Sequence, residues 1–335
     1  MRPSPVSSTV DFDLDGVQHG FLKLPVSHDE SAWGAVMIPI TVVKNGEGPT
    51  ALLTGGNHGD EYEGITALLK LANRLTADRV RGRVIIVPMM NKPAADAGRR
   101  TSPMDRGNLN RSFPGDPDGG PTKQIADYFT RVLVPMCDYA LDLHSGGRTL
   151  DILPFAAAHR LDDLDQERKS LQGAIDFGAD TAIMMFELDA AALYDTVVER
   201  QGKILVTTEL GGGGTSTPDS IGISERGVWN FLIFSGVVEG ELQRPAHQRF
   251  VEMPDAACYV QSEHAGLLEM TCALGDEVAK GEVVARIFDM NRTGVAPVEY
   301  RAERDGLVLA RRFPARVEMG DTLVVIGEIV ERLAR

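Results

Sequence analysis

Apolar runs typical of β-strands alternate with helix-like segments over most of the chain, and this alternation most constrains the fold. The runs near 33–43 and at 51–54 are rich in β-branched or aliphatic residues, and each is followed by a turn that contains glycine. Further strands are expected at 84–87, 139–143 and 204–208, and helices from 122 onwards and at 160–177, 189–201 and 221–236. This alternation predicts an α/β fold with a mixed sheet flanked by helices.

The segment after Gly55-Gly56 has the spacing of an amphipathic helix. Its apolar residues fall on one helical face: Ile65, Leu68, Leu69, Ala72 and Leu75. Asp60 and Glu63 have the spacing of a capping box, in which the Asp60 side chain accepts a hydrogen bond from the Glu63 amide. We therefore expect a helix that begins directly behind a strand end, where α/β sheets bind their ligands.

The pattern changes after about Gln243, where short strands and Gly-Asp turns replace the helical periodicity. We therefore predict a catalytic domain at 1–247 and a smaller all-β domain at 248–335. Residues 265–281 resemble residues 305–321 in a weak internal repeat, which predicts a small β-sandwich or barrel similar to a biotinyl/lipoyl-type domain. A carrier of that type needs a lysine between the halves, and no lysine follows Lys280. The sequence therefore favours a packing or lid module.

Composition narrows the classes of partner. Asp and Glu number 48 against 34 Lys and Arg, which gives a formal net charge of −14 and disfavours nucleic acid and anionic membranes. Cys137, Cys258 and Cys272 form no C-x-x-C pair, which favours a reducing compartment. Neither a signal peptide nor an apolar run long enough to span a membrane is evident. We expect a soluble cytoplasmic protein whose partner is a small molecule, and homo-oligomer formation stays open.

A candidate metal site follows two of the predicted strands. His58 and Glu61 lie between a strand end and a helix start, and His144 ends the strand at 139–143. A catalytic zinc site usually takes three protein ligands and leaves one position for water. Asp142 projects to the same side as His144 and could orient a metal-bound imidazole, although the sequence does not say which one.

Each of these residues alone also has an ordinary structural interpretation. An H-x-x-E spacing is common by chance, and a single histidine such as His144 is more often packed in the core or solvated. The coincidence of two histidines at strand ends beside glycines favours a site, because glycines there would leave room for a substrate. The remaining histidines have no such setting and are interpreted as structural or solvated: His19, His28, His159, His247 and His264.

A carboxylate, Glu209, ends another predicted strand and precedes a glycine run at 211–214 that we expect to be mobile. Beside a metal ion this carboxylate could act as a general base. The same residue could equally be a helix cap or a surface acid. A phosphate-binding loop would require Gly-Lys-Ser/Thr, and this run continues with Thr215-Ser216 instead, which argues against nucleotide binding.

Four arginines lie within residues 99–111 of the predicted polar loop at 91–121: Arg99, Arg100, Arg106 and Arg111. Such clusters are usually solvated surface. Long loops rich in Gly and Pro are nevertheless often functional, and arginine binds carboxylates in a bidentate geometry. The loop is therefore also a candidate for binding an acidic substrate.

Four motifs occur in the order typical of one enzyme family: H-G-D-E at 58–61, N-L-N-R-x-F-P-G at 108–115, D-x-H-S-G-G at 142–147 and T-T-E-L-G-G at 207–212. Together they resemble the succinylglutamate desuccinylase/aspartoacylase family of the zinc carboxypeptidase-like superfamily. The resemblance covers roughly residues 30–330, including the β-rich C-terminal part. The motif contexts look most like the subgroup that removes acetyl from Nα-acetyl-L-2,4-diaminobutyrate in ectoine breakdown.

This resemblance implies one Zn²⁺ per chain and a role for each matching residue. His58, Glu61 and His144 match the zinc ligands, and Glu209 matches the catalytic glutamate. The remaining matches are the pair that holds the substrate α-carboxylate, Asn110 and Arg111, and the arginine that polarises the scissile carbonyl, Arg100, with Arg99 and Arg106 as alternatives. The expected reaction is hydrolysis of an N-acyl amino acid.

Two other functions are compatible with the same residues. A metallocarboxypeptidase would use the same metal and the same carboxylate-binding arginine on short peptides. A non-enzymatic, zinc-stabilised binding or carrier protein would explain the lipoyl-like C-terminal part, although the missing lysine argues against a carrier.

Overall fold

A computed structural model of the chain describes residues 2–29, 31–186 and 191–333. The strands are β1 Ser7–Ser8, β2 Gly16–His28, β3 Ser31–Asn45, β4 Thr50–Gly55, β5 Gly82–Val87, β6 Tyr139–His144, β7 Leu150–Ile152, β8 Phe155–His159, β9 Thr181–Met185, β10 Ile204–Glu209, β11 Arg249–Glu252, β12 Tyr259–Gln261, β13 Gly266–Met270, β14 Glu277–Val278, β15 Val283–Phe288, β16 Val298–Arg301, β17 Gly306–Arg312, β18 Arg316–Val317 and β19 Thr322–Val330.

The helices are α1 Tyr62–Arg74, α2 Lys92–Ala97, α3 Pro121–Tyr128, α4 Val134–Met136, α5 Leu164–Phe177, α6 Tyr194–Arg200 and α7 Pro218–Phe234. A π-helical turn, Phe129–Leu133, joins α3 to α4. Short 3₁₀ turns occur at Ala77–Arg79, Leu109–Arg111 and Ala256–Cys258. No helix in the described ranges is long and apolar enough to cross a membrane.

The main sheet has the strand order β1-β2-β3-β5-β4-β6-β10-β8-β9-β11-β19-β17-β14. Strands β5, β4, β6 and β10 are mutually parallel, whereas β8 runs antiparallel to β10. The predicted α/β fold with a mixed sheet is therefore confirmed. Because the parallel strands β4, β6 and β10 are neighbours, their carboxyl ends meet at one edge of the sheet.

Helices cover both faces of this sheet, because successive residues of each central strand point to opposite faces. Leu53 and Leu141 pack with α1, α5 and α7 on one face, and their neighbours Leu52 and Ala140 pack under α3 and α6 on the other. All four side chains are completely buried. This two-sided burial explains why the central strands are continuous apolar runs rather than alternating ones.

Several local expectations were wrong. The capping box is absent: Glu61 is the N-terminal cap of α1 and its side chain makes no capping hydrogen bond. The Asp60 carboxylate instead accepts a hydrogen bond from the amide of Arg148. Leu69 is 40% exposed rather than part of the buried face. The predicted loop at 91–121 contains α2, and α5 begins later than expected. Of the helix predicted at 189–201, residues 189 and 190 lie outside the described ranges, and α6 begins at Tyr194.

The C-terminal part is all-β, as the sequence predicts. It contributes a separate sheet with the order β16-β15-β13-β18 and has its own hydrophobic core. The two halves of the internal repeat pair with each other, because β13 joins β18 and β14 joins β17. This part also continues the main sheet, since β11 pairs with β9 and with the end of β19.

Candidate metal centre and active site

The candidate site lies at the carboxyl edge of the three neighbouring parallel strands. His144 ends β6 and is in register with Glu209, which ends β10. His58 and Glu61 lie in the connection from β4 to α1. The central strands place these residues together although long stretches of chain separate them in sequence.

His58, Glu61 and His144 form a buried cluster in which one ligand atom from each lies within 4.8 Å of the others. The Nδ1 atom of His58 is 2.7 Å from Glu61 Oε1, and the Nδ1 atom of His144 is 2.8 Å from Glu61 Oε2. The Ser145 amide donates a hydrogen bond to the same carboxylate at 3.2 Å. The structure therefore brings the three predicted ligands together.

Outer hydrogen bonds orient both imidazoles. His144 Nε2 lies 2.8 Å from an Asp142 carboxylate oxygen, and His58 Nε2 lies 3.2 Å from Asn108 Oδ1. Carboxylate and amide oxygens accept hydrogen bonds, and Glu61 contacts the Nδ1 atoms as closely, so each imidazole has an acceptor on both sides. A metal ion bound at the Nδ1 atoms and Glu61 would leave the protons on Nε2, where Asp142 and Asn108 accept them. Two imidazoles and a carboxylate whose ligand atoms converge in this way suit a metal ion.

Asp142 is therefore the partner of His144, a choice that the sequence left open. Its carboxylate also accepts hydrogen bonds from Thr54 Oγ1 at 2.8 Å and from Asn57 Nδ2 at 3.2 Å. These three donors fix the orientation of the carboxylate, and the side chain is completely buried.

The electrostatics of the cluster favour positive charge. Burial raises the pKa of the Glu61 carboxyl, but the two imidazoles outweigh burial and hold that pKa well below its ordinary value. Burial lowers the pKa of His144, whereas the carboxylates of Asp142 and Glu61 outweigh it and hold the pKa well above its ordinary value. Burial lowers the pKa of His58. Two carboxylates buried beside the imidazoles create a negative site that attracts a cation.

A cavity of about 300 Å³ adjoins the cluster and contains the other predicted site residues. Its polar and charged lining comprises His58, Glu61, Arg100, Asn110, Arg111, His144, Ser145, Thr149, Asp195, Thr207, Thr208, Glu209, Arg312 and Thr322. This volume is at the lower end of the range for small-molecule sites. A larger cavity of about 690 Å³ lies beyond Met185, and none of the three clustered ligands lines it.

Among the three arginines considered for the scissile carbonyl, Arg100 is the one that lines this cavity. Its Nη1 atom lies 3.4 Å from Glu61 Oε1 and 3.3 Å from His58 Nδ1, and its side chain is 46% exposed. Arg99 and Arg106 are exposed and do not line the cavity.

Asn110 and Arg111 lie on the 3₁₀ turn Leu109–Arg111 and are held in place by local hydrogen bonds. Asn110 Oδ1 accepts a hydrogen bond from the Tyr194 amide at 3.0 Å. Because the oxygen is used in this way, the Asn110 amide group can offer its N–H donors elsewhere. The Arg111 guanidinium donates to the Asn110 carbonyl at 2.8 Å.

The glycines beside the site were expected to leave room for a substrate, but the structure shows close packing against the backbone instead. A side chain at Gly146 or Gly212 would collide with the backbone oxygen of Leu150, 2.3 or 2.1 Å from the added Cβ. These glycines therefore allow loops to pack against each other rather than leave space for a substrate. The glycine run is also bonded to its surroundings, since the Gly211 carbonyl accepts from the amides of Gly146 and Ile152.

Sequence reasoning missed several residues of the site. Asn108 belongs to the N-L-N-R motif, so the motif itself could have suggested it. Asp195, Arg312 and Thr322 line the cavity without any local motif to indicate them. Arg312 reaches the cavity because β17 pairs with β7, with Arg312 opposite Leu150.

The chain is similar in sequence to known proteins of one family. Residues 47–235 match the family model of the succinylglutamate desuccinylase/aspartoacylase catalytic domain. The N-alpha-acetyl-L-2,4-diaminobutyric acid deacetylase of Halomonas elongata is 74% identical over 333 residues, which cover 99% of this chain and 97% of that protein.

Two solved structures have nearly the same fold. The product-bound ectoine utilization protein EutE (DoeB) of Ruegeria pomeroyi has a TM-score of 0.95 and 55% identity, covering 98% of this chain and 100% of its own. A succinylglutamate desuccinylase/aspartoacylase of Rhodobacter sphaeroides has a TM-score of 0.93 and 39% identity, with the same coverage. The chain belongs to the succinylglutamate desuccinylase/aspartoacylase family, a family of hydrolytic enzymes, as its motifs predict.

Proposed function

We propose that this protein is a zinc-dependent deacylase that converts Nα-acetyl-L-2,4-diaminobutyrate and water into L-2,4-diaminobutyrate and acetate. The observation that carries the proposal is the His58–Glu61–His144 cluster, which opens into the same small cavity as Glu209. The 74% identity to the Halomonas elongata deacetylase supports the choice of substrate.

We infer that one Zn²⁺ is held by His58 Nδ1, Glu61 and His144 Nδ1. Two imidazoles and one carboxylate are a ligand set that catalytic zinc sites use, and this set leaves a position for water or substrate. When bound, the ion would lower the pKa of water and polarise the amide carbonyl. Asp142 and Asn108 keep the two imidazoles in the tautomer that binds metal.

Glu209 is the proposed general base and acid. Its register with His144 and its place in the lining of the same cavity support this role. It accepts a proton from the attacking water as the bond from water oxygen to the amide carbon forms. It then donates that proton to the nitrogen as the carbon–nitrogen bond breaks, so that a neutral amine departs instead of an unstable amide anion.

Arginine and asparagine side chains orient the substrate. Arg100, next to the cluster, is the proposed donor to the carbonyl oxygen as negative charge develops there. Asn110 and Arg111 are the proposed partners of the α-carboxylate, because both line the cavity and together offer several N–H donors. This contact fixes the position of the scissile bond relative to the metal site.

A single acetylated amino acid fits the cavity, whose volume of about 300 Å³ lies at the lower end of the range for small-molecule sites. A metallocarboxypeptidase would use the same residues on a peptide that extends out of the cavity. The choice of deacylation over this alternative rests on the 74% identical Halomonas elongata deacetylase.

The proposal also covers the division of the chain into domains and its location in the cell. We divide it into a catalytic domain at 1–247 and a β-rich domain at 248–335, which resembles a lipoyl-type barrel and supplies Arg312 and Thr322 to the cavity. The cytoplasm is the proposed location, in keeping with an intracellular small-molecule substrate, and the number of subunits stays open.

The test is an assay of purified, zinc-loaded protein against the α- and γ-acetyl isomers of diaminobutyrate, other N-acyl amino acids and short peptides. We expect release of acetate from the α isomer, measured by mass spectrometry, with loss of activity on chelation and recovery with zinc. Preferential hydrolysis of peptides, or turnover that survives complete removal of metal, would contradict the proposal.

A further inference from the structure

The cavity contains three acidic side chains, and the proposed reaction uses only two of them. Glu61 belongs to the metal cluster and Glu209 is the general base. The third, Asp195, lies in the first turn of α6 and has no role in metal binding or proton transfer. It is 4% exposed. A buried carboxylate needs a partner, and one that lines a cavity often finds it in the ligand.

Asp195 lacks a full set of partners within the protein. Its Oδ1 atom is buried and has no hydrogen-bond partner among the described residues. The neighbouring Tyr194 amide binds Asn110 Oδ1, so the acid is next to the residue proposed to hold the α-carboxylate. Because Asn110 and Asp195 line one cavity of about 300 Å³, a substrate held at Asn110 has Asp195 in its surroundings.

The charges around the cavity identify what Asp195 can bind. Arg100, Arg111 and Arg312 make much of the remaining lining cationic, so an ammonium group would be repelled there. Diaminobutyrate carries such a group at the end of its side chain, in addition to its α-carboxylate. Among the cavity acids, Asp195 is the one left to neutralise that group.

The raised pKa of Asp195 indicates that no cationic side chain in the described ranges compensates for the burial of its carboxylate. Burial raises the pKa of Asp195 to about 7, and the charges of Asp142 and Glu199 act in the same direction. His159 and His144 oppose them but do not restore the ordinary value. A carboxylate that already had a close cationic partner would show the opposite shift.

We propose that the Asp195 carboxylate binds the side-chain ammonium group of the substrate and thereby selects N-acetylated diamino acids over N-acetylated amino acids with apolar side chains. This inference rests on the proposed function and assigns the residue that distinguishes the substrate side chain. Asp195 is a binding residue in this assignment and takes no part in proton transfer to the leaving nitrogen.

The first experiment compares two substrates in the parent enzyme and in Asp195→Asn. Nα-acetyl-L-2,4-diaminobutyrate carries the ammonium group, and Nα-acetyl-L-norvaline has an apolar side chain of the same length. We expect Asp195→Asn to lower kcat/KM for the diamino substrate by roughly 30-fold or more, because a buried charge pair loses one partner. Activity on the norvaline compound should stay constant or rise.

Asp162→Asn is the matched control. It removes a carboxylate that lines the larger neighbouring cavity and not the proposed active site, and Asp162 does not act on the pKa of Asp195. The ratio of kcat/KM values for the two substrates should stay that of the parent. An equal loss of activity on both substrates in Asp195→Asn would indicate a structural role and overturn the proposal, as would an unchanged ratio.

Binding of the product separates this proposal from the proposed function. Calorimetry with L-2,4-diaminobutyrate and L-norvaline on the zinc-loaded protein measures recognition of the side chain without any turnover. We expect Asp195→Asn to raise the Kd of diaminobutyrate by roughly 30-fold and to leave that of norvaline unchanged. If the parent hydrolyses no N-acyl amino acid but shows this binding pattern, only the proposed function fails. Equal Kd values for diaminobutyrate in parent and variant would overturn the assignment of Asp195.

Discussion

Two groups of residues at the cavity differ in how their charged side chains are held. The metal wall comprises His58, Glu61 and His144 with Asp142 behind them; each imidazole contacts at least two partners, Asp142 has three, and Glu209 adjoins this group in register with His144. The recognition wall comprises Asp195, Arg312 and Thr322 with the Asn110–Arg111 pair. There Asp195 Oδ1 and Arg312 Nε have no hydrogen-bond partner among the described residues, while Arg312 Nη2 pairs with Asp321.

We interpret this difference as a division between residues that carry out the reaction and residues that recognise the substrate. A metal site must hold its ligands in one geometry before the substrate arrives, so the protein supplies every orienting contact itself. A wall that binds a substrate needs polar atoms that are still available, and burying them unpaired has a cost in stability. We therefore expect substitutions on the metal wall to affect turnover and metal content, and those on the recognition wall to affect substrate preference and stability.

The largest effect is expected for Glu209→Gln. Glutamine retains the shape of the side chain but cannot accept the proton from water, so kcat should fall by roughly 10²- to 10⁴-fold. Zinc content, measured by mass spectrometry of the purified protein, should stay that of the parent. Near-normal turnover would remove Glu209 from its proposed role, and loss of zinc would place it among the metal ligands instead.

Asp142→Asn tests whether the orientation of His144 matters to the metal. The variant loses the negative charge that holds the His144 Nε2 proton, so zinc affinity should fall by about 10- to 100-fold. Competition with a chelator of known affinity measures this change. Thr54→Ser is the control, because it retains the hydroxyl that donates to Asp142. Equal zinc affinity in all three proteins would show that this hydrogen bond does not influence the metal.

Arg111→Ala tests the carboxylate contact on the recognition wall. Loss of a charge-assisted hydrogen bond should raise KM for Nα-acetyl-L-2,4-diaminobutyrate by roughly 10- to 30-fold, with a smaller change in kcat. An analogue that lacks the α-carboxylate, N-acetyl-1,3-diaminopropane, should show little difference between parent and variant. Similar increases for the substrate and the analogue would rule out the contact.

The smallest expected effect is that of Asp195→Asn on the free energy of unfolding. The folded-state pKa of about 7 lies above the ordinary 3.8, so the carboxyl favours the folded state when protonated and loses that contribution as the pH rises towards about 7. Asp195→Asn should therefore become more stable than the parent across this range, by roughly 1–3 kcal/mol near pH 8. Denaturant unfolding of both proteins at about pH 4 and about pH 8 measures the difference.

Asp176→Asn is the control for this measurement, and its expected effect on stability has the opposite sign. Asp176 is also buried, but its carboxylate accepts a hydrogen bond from Arg244. Removing one partner of this pair should destabilise the protein at about pH 8. If Asp195→Asn destabilised the protein as Asp176→Asn does, Asp195 would have an unrecognised partner, and the comparison between the two walls would fail.

Much of the metal wall could be predicted because the positions of its residues relative to strand ends follow from the local sequence. His58 and Glu61 follow one strand and His144 ends another, and parallel strands that are neighbours must present their ends at one edge. The capping box at Asp60 failed because its outcome depends on a distant part of the chain. Local spacing allowed it, but a partner 88 positions away, the amide of Arg148, binds the Asp60 carboxylate. Which of the two imidazoles contacts Asp142 likewise depends on side-chain packing in the folded protein.

The alternation of strands and helices, the all-β C-terminal part and the residues that could ligate a metal are properties of the sequence alone, because periodicity and motifs depend on nearby residues. Only the tertiary structure places Asp195 and Arg312 in one cavity with the ligands. No local pattern marks either residue, and their positions depend on contacts between distant segments: the Tyr194 amide with Asn110, and β17 with β7. Those contacts form through packing of the whole chain, which short stretches of sequence do not encode by themselves.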